Sequence, residues 1–289
     1  MKVLVTGANG QLVYALQKTK NVFSEKCELE LIALTRVEMD LSQPENVSRV
    51  LDQFAPDAII NAAAYTAVDK AESEYLLAQK INAEAVQQLA MWCQHNKKIL
   101  LHVSTDFVFD GEKSSPYKTD DQTRPASAYG KTKQQGEAFA LNECANAYVI
   151  RTGWVYGEHG ANFAKTILRL ADERESLGIV SDQIGTPTYA THLAEMLWQL
   201  LLLKPQQKIW HFSDAGVASW YDFAVAIAEE GVAAGLLASM PKVEPVTSAE
   251  FATAARRPRF SLLDSRATRE TLGMSAVHWR ANLRRMLTS

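Results

Sequence analysis

The chain has 289 residues, 47% of them hydrophobic and 22% charged, an ordinary globular composition with enough length for one large α/β domain or a domain and a smaller lobe. Acidic and basic residues are interspersed and leave a formal charge of −3, so neither nucleic acid nor a membrane surface is a predicted partner. The three cysteines, Cys27, Cys93 and Cys144, form no CxxC or Cys/His cluster, which favours small buried thiols over a metal site or disulfide framework.

Residues 2–6 already have the pattern of a strand, and we therefore expect no signal peptide before the fold. The apolar stretch 193–203 is too short and too interrupted to span a bilayer. Together these features predict a soluble cytoplasmic protein.

In the first half of the chain, short apolar runs alternate with longer helical patterns. The predicted strands are 2–6, 29–34, 58–61, 99–104 and 147–151, and the predicted helices are 11–20, 44–54, 71–96 and 127–142. Strands that are apolar on both faces and separated by helices are typical of a parallel sheet covered on both sides. The predicted fold class is therefore α/β, with a Rossmann-type doubly wound parallel sheet.

After residue 152 the alternation loosens. Helices are predicted at 162–174, 192–203 and 220–230, strands near 178–180 and at 208–212, an irregular segment at 241–264, and two short helices within 266–287. We expect residues 1–152 to form the dinucleotide-binding domain, completed by later sheet elements from about 177–212. Residues 153–289 are expected to form mainly a substrate-binding lobe.

A glycine-rich turn, TGANGQL at 6–12, joins the first strand to the first helix. In this context a glycine lets the backbone approach a pyrophosphate, and the helix start offers free N–H donors. The turn predicts dinucleotide binding by Gly7, Gly10, Gln11 and Leu12, with an ordinary strand–helix turn as the alternative. Val13 stands where the pattern wants a third glycine, so we expect the helix to be pushed outward, or to need a small neighbour, and cofactor binding to weaken.

The second strand ends in Thr35-Arg36, where an NAD-specific site usually has an acidic residue. Arg36 favours the 2′-phosphate of NADPH, with NADH also possible, although a solvated loop charge is the alternative. Further residues expected to border the cofactor are Asp40, Leu41, Ala63, Ala64 and Tyr65. For Tyr65, simple packing is the alternative.

Ser104 and Thr105 follow the fourth strand, and Tyr129 and Lys133 begin the next helix. The i, i+4 spacing places the phenol and the ammonium on one helix face, where we expect the charge to lower the tyrosine pKa toward the working range. The hydroxyl of Thr105 is placed to bond the same carbonyl oxygen that the tyrosine protonates. This combination with the glycine turn resembles the extended short-chain dehydrogenase/reductase superfamily.

Longer motifs narrow the resemblance to the dTDP-4-dehydrorhamnose reductase family. They cover nearly the whole chain in order: NAAAYTAVDKAE at 61–72, STDFVFDG at 104–111, RTGWVYG at 151–157, NFAKT at 162–166, DQIGTPT at 182–188 and ARRP at 255–258. Besides Val13, the chain departs from the family pattern at Phe107, where tyrosine is usual, and at Gly153, where serine is frequent. We expect little consequence from Gly153.

The resemblance implies NAD(P)H-dependent reduction of dTDP-4-dehydro-β-L-rhamnose to dTDP-β-L-rhamnose, the last step in making dTDP-rhamnose for polysaccharides. It implies that Tyr129 donates the proton, that Thr105 bonds the same oxygen, and that Lys133 holds the cofactor ribose. It further implies substrate contacts by Thr105, Asp106, Trp154, Asn162, Gln183 and Arg257. An arginine suits a pyrophosphate. Trp154 as core packing and Arg257 as a solvated cation are the alternatives.

Two other readings stay open at this point. One is a different nucleotide-sugar reductase or epimerase of the superfamily, although an epimerase would favour an acidic residue near position 36. The other is a non-catalytic relative such as the regulatory β-subunit of methionine adenosyltransferase, which tolerates a damaged glycine turn. The family makes a homodimer plausible, and the sequence leaves a requirement for Mg²⁺ open, with no loop of suitable ligand spacing.

Overall fold

The computed structural model describes residues 1–24 and 28–289, so Cys27 lies outside the described residues. Its strands are β1 (Lys2–Thr6), β2 (Glu30–Leu34), β3 (Ala58–Asn61), β4 (Ile99–Thr105), β5 (Ala147–Thr152), β6 (Val155–Tyr156), β7 (Ser176–Val180), β8 (Ile184–Gly185), β9 (Thr188–Tyr189), β10 (Ile209–His211), β11 (Ala218–Ser219) and β12 (Lys242–Val246). Its α-helices are α1 (Gln11–Ser24), α2 (Val47–Phe54), α3 (Tyr75–Gln79), α4 (Ala85–His95), α5 (Ala128–Glu143), α6 (Phe163–Glu173), α7 (Ala190–Leu203), α8 (Trp220–Ala233), α9 (Arg266–Leu272) and α10 (Trp279–Leu287).

The central sheet has the strand order β10-β5-β4-β3-β1-β2, and every pairing in it is parallel. One face carries an apolar core that includes α1 and α7, and the other carries a core that includes α2 and α4. Strands covered on both faces need apolar side chains throughout, which is why β1 and β3 read as unbroken apolar runs. The Rossmann-type fold predicted from the sequence is confirmed.

The second half of the chain is built from smaller pieces. Its short strands form two-stranded sheets, β11 with β8, β12 with β7, and β6 with β9. They surround a third apolar core shared by α6, α8 and α10. Only β10 returns to the central sheet, where it pairs with β5.

Two predictions for this half are wrong. The strand near 178–180 was expected to complete the central sheet, yet β7 pairs with β12 in a separate sheet. The segment 241–264 was expected to be irregular, yet it begins with β12. The strand was not predicted because Pro245 lies within it, and proline lacks the N–H that an interior strand needs. Proline is tolerated at sheet edges, and β12 pairs with β7 in a two-stranded sheet.

The helix predicted at 71–96 is interrupted. A 3₁₀ turn at Lys70–Glu72 precedes α3, and a π-helical turn at Lys80–Glu84 separates α3 from α4. The wide turn contains buried Asn82, whose amide bonds the backbone N and O of Tyr65 and the hydroxyl of Thr132. π-helical turns of this kind are frequent near functional sites.

Cys93 and Cys144 are buried free thiols, as predicted. Across the two described ranges, 1–24 and 28–289, no helix is long and apolar enough to cross a bilayer. The apolar stretch at 193–203 belongs to α7, which is buried in the core on one face of the central sheet.

Candidate active site

A cleft of about 670 Å³ opens at the edge of the central sheet where β1, β3, β4 and β5 have their carboxyl ends. This is where ligands bind in open parallel sheets. The cleft brings together most of the residues predicted from the sequence: Gly7, Gly10, Gln11, Leu12, Arg36, Ala63, Ala64, Thr105, Asp106, Tyr129, Lys133, Trp154 and Arg257.

Five predicted residues lie elsewhere. Leu41 is buried in the core beneath the sheet, and the carboxylate of Asp40 accepts hydrogen bonds from Ser42. The phenol of Tyr65 donates to Glu74, 2.6 Å away. Asn162 caps α6 and donates to the carbonyl of Gly157, and Gln183 lines a neighbouring cavity.

The glycine turn is tight and passes close to the backbone that follows β3. Gly7 has a φ of +81°, and a Cβ added there would lie 3.2 Å from the Cβ of Ala63. The N–H groups of Gly7 and Ala8 both donate to the carbonyl of Leu34, which fixes the turn against β2. Helix α1 begins directly after the turn, at Gln11, and Gln11 and Leu12 line the cleft. The first N–H groups of a helix have no partner within the helix.

Val13 is accommodated in this arrangement. Its side chain is 1% exposed and belongs to the core that α1 shares with α7. The amide of Gln11 donates to the carbonyl of Val155 at 3.0 Å, which ties the start of α1 to the strand after β5. The helix therefore starts at its expected position although the third glycine is missing.

Arg36 lies at the open end of the cleft. Its side chain is 74% exposed, and its Nε lies 3.4 Å from the carboxylate of Asp40. This contact holds the guanidinium near the mouth of the cleft while leaving most of its donors free for an anion. An exposed ion pair of this kind contributes little to stability.

Lys133 is almost completely buried, and its ammonium donates to the carbonyl of Val103 at 2.7 Å, with His102 Nε2 3.4 Å away. The side chain of Ser127 accepts from the N–H of Gly130 and so caps α5. That cap, with the contact of the Tyr129 ring against the edge of Phe107, fixes the first turn of the helix over the end of β4.

Burial controls the proton affinities of this cluster. It raises the pKa of Tyr129 to about 12, while the hydroxyl of Thr105 acts in the opposite direction. It also lowers the pKa of Lys133 to about 8, against the carboxylate of Glu137. The predicted lowering of the tyrosine pKa by Lys133 is therefore wrong for this structure, because desolvation of a phenolate outweighs the other effects.

Asp106, like Lys133, is a buried titratable group in the cleft. Burial raises its pKa to about 6, and hydrogen bonds from Ser261 and Thr105 oppose that effect. A Cβ added at Gly153 would lie 2.6 Å from the carboxyl carbon of Asp106. The missing side chain at Gly153 therefore leaves the space that the Asp106 carboxyl group occupies, and the expectation that glycine in place of serine has little consequence stays a prediction.

A buried ion pair supports the floor of the cleft, and the sequence reasoning missed it. Arg151 on β5 forms a bidentate contact with Glu137 on α5, and Ser104 donates to the same carboxylate at 2.5 Å. The available signal was the position of Glu137 four residues after Lys133, on the same helix face. Such pairs fix geometry more than they add stability.

A second cavity of about 340 Å³ adjoins the cleft. Trp154, Trp220 and Arg257 line both spaces, so they lie at the boundary between them. Arg257 donates to the carboxylate of Asp69 at 2.6 Å, which joins the 61–72 motif to the 255–258 motif. Trp220 and Asp69 were not among the predicted site residues because their partners are distant in the sequence.

No cluster of three or more histidine, cysteine, aspartate or glutamate side chains suited to a metal ion occurs within residues 1–24 and 28–289. The parallel sheet, the glycine turn and a cleft with Thr105, Tyr129 and Lys133 define a class, the NAD(P)-dependent oxidoreductases of the short-chain dehydrogenase/reductase type.

Comparison with known proteins identifies the family. The family model described as RmlD substrate binding domain matches residues 1–289. The chain is 41% identical over 288 residues to a dTDP-4-dehydrorhamnose reductase of Aggregatibacter actinomycetemcomitans, covering 98% of this chain and 97% of that protein. The chain therefore belongs to the dTDP-4-dehydrorhamnose reductase family, which confirms the resemblance seen in its motifs.

Solved structures agree over the whole length. A dTDP-4-dehydrorhamnose reductase from Clostridium acetobutylicum superposes with a TM-score of 0.91 at 36% identity, covering 99% of this chain and 98% of that chain. A dTDP-4-dehydrorhamnose reductase from Bacillus anthracis in complex with NADP gives a TM-score of 0.90 at 35% identity, with the same coverage.

Proposed function

We propose that this chain is an NADPH-dependent reductase that converts dTDP-4-dehydro-β-L-rhamnose to dTDP-β-L-rhamnose. The observation that carries the proposal is the meeting of Thr105, Tyr129 and Lys133 with the glycine turn in one cleft, in a chain of this family. A sugar ketone placed against Tyr129 would lie between the turn and the second cavity.

The first part of the proposal concerns the cofactor. The left-handed backbone and missing side chain of Gly7, together with the start of α1, fit a pyrophosphate. Ala63 and Ala64 leave room beside it, Arg36 is placed for a 2′-phosphate, and Lys133 for a ribose hydroxyl. When bound, NADPH supplies the hydride that reduces C4 of the sugar.

The second part concerns the proton. With a pKa of about 12, Tyr129 keeps its proton at neutral pH and can give it to the alkoxide that forms at the sugar oxygen. The hydroxyl of Thr105 donates to Asp106 Oδ1 at 3.1 Å in the free protein and would turn to donate to the sugar oxygen when substrate binds. At pH 7 Lys133 is mostly an ammonium, because its pKa is about 8, and this charge is available to a ribose hydroxyl of the cofactor.

The third part concerns the sugar nucleotide. Asp106, with a pKa of about 6, is mostly ionised at pH 7 and accepts a hydrogen bond from a sugar hydroxyl. Trp154 forms one wall of the sugar site. Arg257 pairs with the substrate pyrophosphate at the entrance of the second cavity, where Gln183 offers an amide to the nucleoside.

Two further expectations concern the location and the oligomeric state of the protein. A cytoplasmic location and a homodimer stay predictions. The assay of NADPH oxidation is run with and without Mg²⁺.

The test is NADPH oxidation followed at 340 nm with dTDP-4-dehydrorhamnose generated by its upstream enzymes. We expect turnover by the native chain and a loss of about 10²- to 10⁴-fold in kcat for Tyr129→Phe, since general acid catalysis contributes about that factor. Tyr148→Phe is the control, because that hydroxyl donates to the carbonyl of Pro205, away from the cleft. No turnover by the native chain, or full activity of Tyr129→Phe, would refute the proposal.

A further inference from the structure

Trp154 has a backbone conformation that side chains rarely adopt. Its φ is +53°, in the left-handed region that favours glycine, and it directly follows Gly153 at the end of β5. Its carbonyl accepts a hydrogen bond from the N–H of Thr188 at 3.1 Å. A tryptophan stays in this region only when its surroundings hold it there, and such residues cluster at functional sites.

Trp220 holds one face of the Trp154 indole. The two ring systems stack with centroids 3.5 Å apart and planes 5° from parallel. Trp220 is the first residue of α8, and a reciprocal pair of hydrogen bonds between Ser219 and Asp222 fixes that helix start. The ring of Phe163 packs against Trp220 as well, at 4.6 Å. Trp220 is therefore a fixed surface on which the indole of Trp154 lies.

Gly185 leaves the space that the edge of the same indole occupies. A Cβ added at Gly185 would lie 2.7 Å from Cε2 and 2.8 Å from Nε1 of Trp154. These distances are too short for any real side chain. Gly185 is held in β8 by its pairing with Ala218 of β11. The space beside Gly185 is therefore fixed relative to the segment that leads into Trp220.

We propose that Trp220 and Gly185 are positioning residues that set the place of Trp154 and thereby the shape of the sugar site. This inference rests on the proposed function, in which Trp154 faces the sugar. Trp154 and Trp220 line both the cleft and the second cavity, so the stacked pair forms the partition between them. A displaced Trp154 changes how the sugar nucleotide fits, while the glycine turn and Tyr129 stay in place.

The experiment uses the full-length protein labelled with 5-fluorotryptophan and four variants. Trp220→Leu removes the ring that stacks on Trp154, and Trp220→Phe restores an aromatic ring there. Gly185→Ala fills the space that the edge of the Trp154 indole occupies. Trp92→Leu is the matched control, since Trp92 is a buried tryptophan whose indole donates to Asp52 on the far side of the sheet. The ¹⁹F signal of Trp154, assigned from the spectrum of Trp154→Phe, reports its position without any turnover.

We expect Trp220→Leu and Gly185→Ala each to move or broaden the Trp154 signal and to raise the KM for the sugar nucleotide about tenfold, with kcat changed less than about threefold. Trp220→Phe should bring both values back most of the way. Trp92→Leu should leave the Trp154 signal and the KM as in the native protein, whatever it does to stability.

An unmoved Trp154 signal in Gly185→Ala, which keeps the stacked ring of Trp220, would overturn the inference. An unchanged KM in Trp220→Leu, or the same rise in KM in Trp92→Leu, would overturn it as well. Failure of the proposed function is a separate result. In that case the native chain does not reduce the sugar nucleotide, and the ¹⁹F signal alone still decides whether Trp220 and Gly185 position Trp154.

Discussion

The two ends of the cleft are built in different ways. The end that we propose for the cofactor, called the cofactor end, consists of residues at the carboxyl ends of neighbouring parallel strands. There the turn at Gly7 is held by backbone hydrogen bonds to β2. The end that we propose for the sugar nucleotide, called the substrate end, consists of side chains from separate short segments. They are joined by contacts such as Arg257 with Asp69, which are 188 residues apart. The sheet fixes the positions of the residues at the cofactor end. The positions of the residues at the substrate end depend on how the segments of the second half of the chain pack together.

This difference predicts different responses to mutation. Changes at the cofactor end should act mainly on NADPH binding, because backbone hydrogen bonds to the sheet hold the glycine turn. Changes at the substrate end should act on the KM of the sugar nucleotide and leave NADPH binding intact. Four predictions test this division, beginning with the largest expected effect.

Gly7→Val should weaken NADPH binding by about 100-fold or more, because the φ of +81° disfavours a branched side chain and its Cβ would press on Ala63 at 3.2 Å, where the pyrophosphate needs the backbone. Isothermal titration calorimetry measures the Kd. Gly273→Ala is the matched control, since Gly273 also has a positive φ, +65°, but has no atom within 4 Å of its added Cβ. Equal losses of NADPH affinity in both variants would contradict the prediction.

Arg257→Gln should raise the KM for the sugar nucleotide about 20-fold, the size of a charge-assisted hydrogen bond to a phosphate, with NADPH affinity unchanged. Initial rates at saturating NADPH give the KM. The neighbouring Arg256→Gln is the control, because Arg256 pairs with Glu112 and is 70% exposed in its side chain. A loss of NADPH affinity in Arg257→Gln would show that the two ends are coupled.

The same difference between the two ends explains which site residues could be predicted from the sequence alone. The glycine turn, Thr105, Tyr129 and Lys133 are each located by a pattern within a few residues, and the alternation of strands and helices then brings them to one edge. No pattern near Trp220 in the sequence indicates that it belongs to the site, because its partner Trp154 lies 66 residues earlier in the chain. The pairing of β7 with β12 was missed for the same reason.

The sequence also did not predict where individual side chains point or how far they are removed from water. Asp40 and Tyr65 follow the correct strands, yet their side chains bond Ser42 and Glu74 rather than facing the cleft. The pKa of Tyr129 was predicted to fall because Lys133 is near it on the helix. It rises because desolvation of the half-buried phenol outweighs the hydrogen bond from Thr105, and a pattern of residue types does not reveal the extent of that desolvation.

A smaller effect tests which nicotinamide dinucleotide the cofactor end prefers. Arg36→Ala should reduce the preference for NADPH over NADH about tenfold, by weakening NADPH only, since the guanidinium is placed for a 2′-phosphate and its exposure to water limits the gain. The ratio of kcat/KM for the two cofactors measures it. Arg49→Ala, an exposed arginine on α2, should leave the ratio unchanged. Equal weakening of both cofactors would remove Arg36 from the proposed phosphate site.

The smallest effect is a pH dependence that originates at Lys133. Burial lowers its pKa from 10.5 to about 8, so the group is an ammonium below pH 8 and a neutral amine above it. Binding that uses this charge near the ribose favours the ammonium, and the Kd for NADPH should therefore rise about threefold between pH 7 and pH 9. Lys133→Met should lose this slope, whereas Lys131→Met, which changes an exposed lysine of the same helix, should keep it. A slope that survives in Lys133→Met belongs to another ionisation, and the charge of Lys133 would then have no part in holding the cofactor end together.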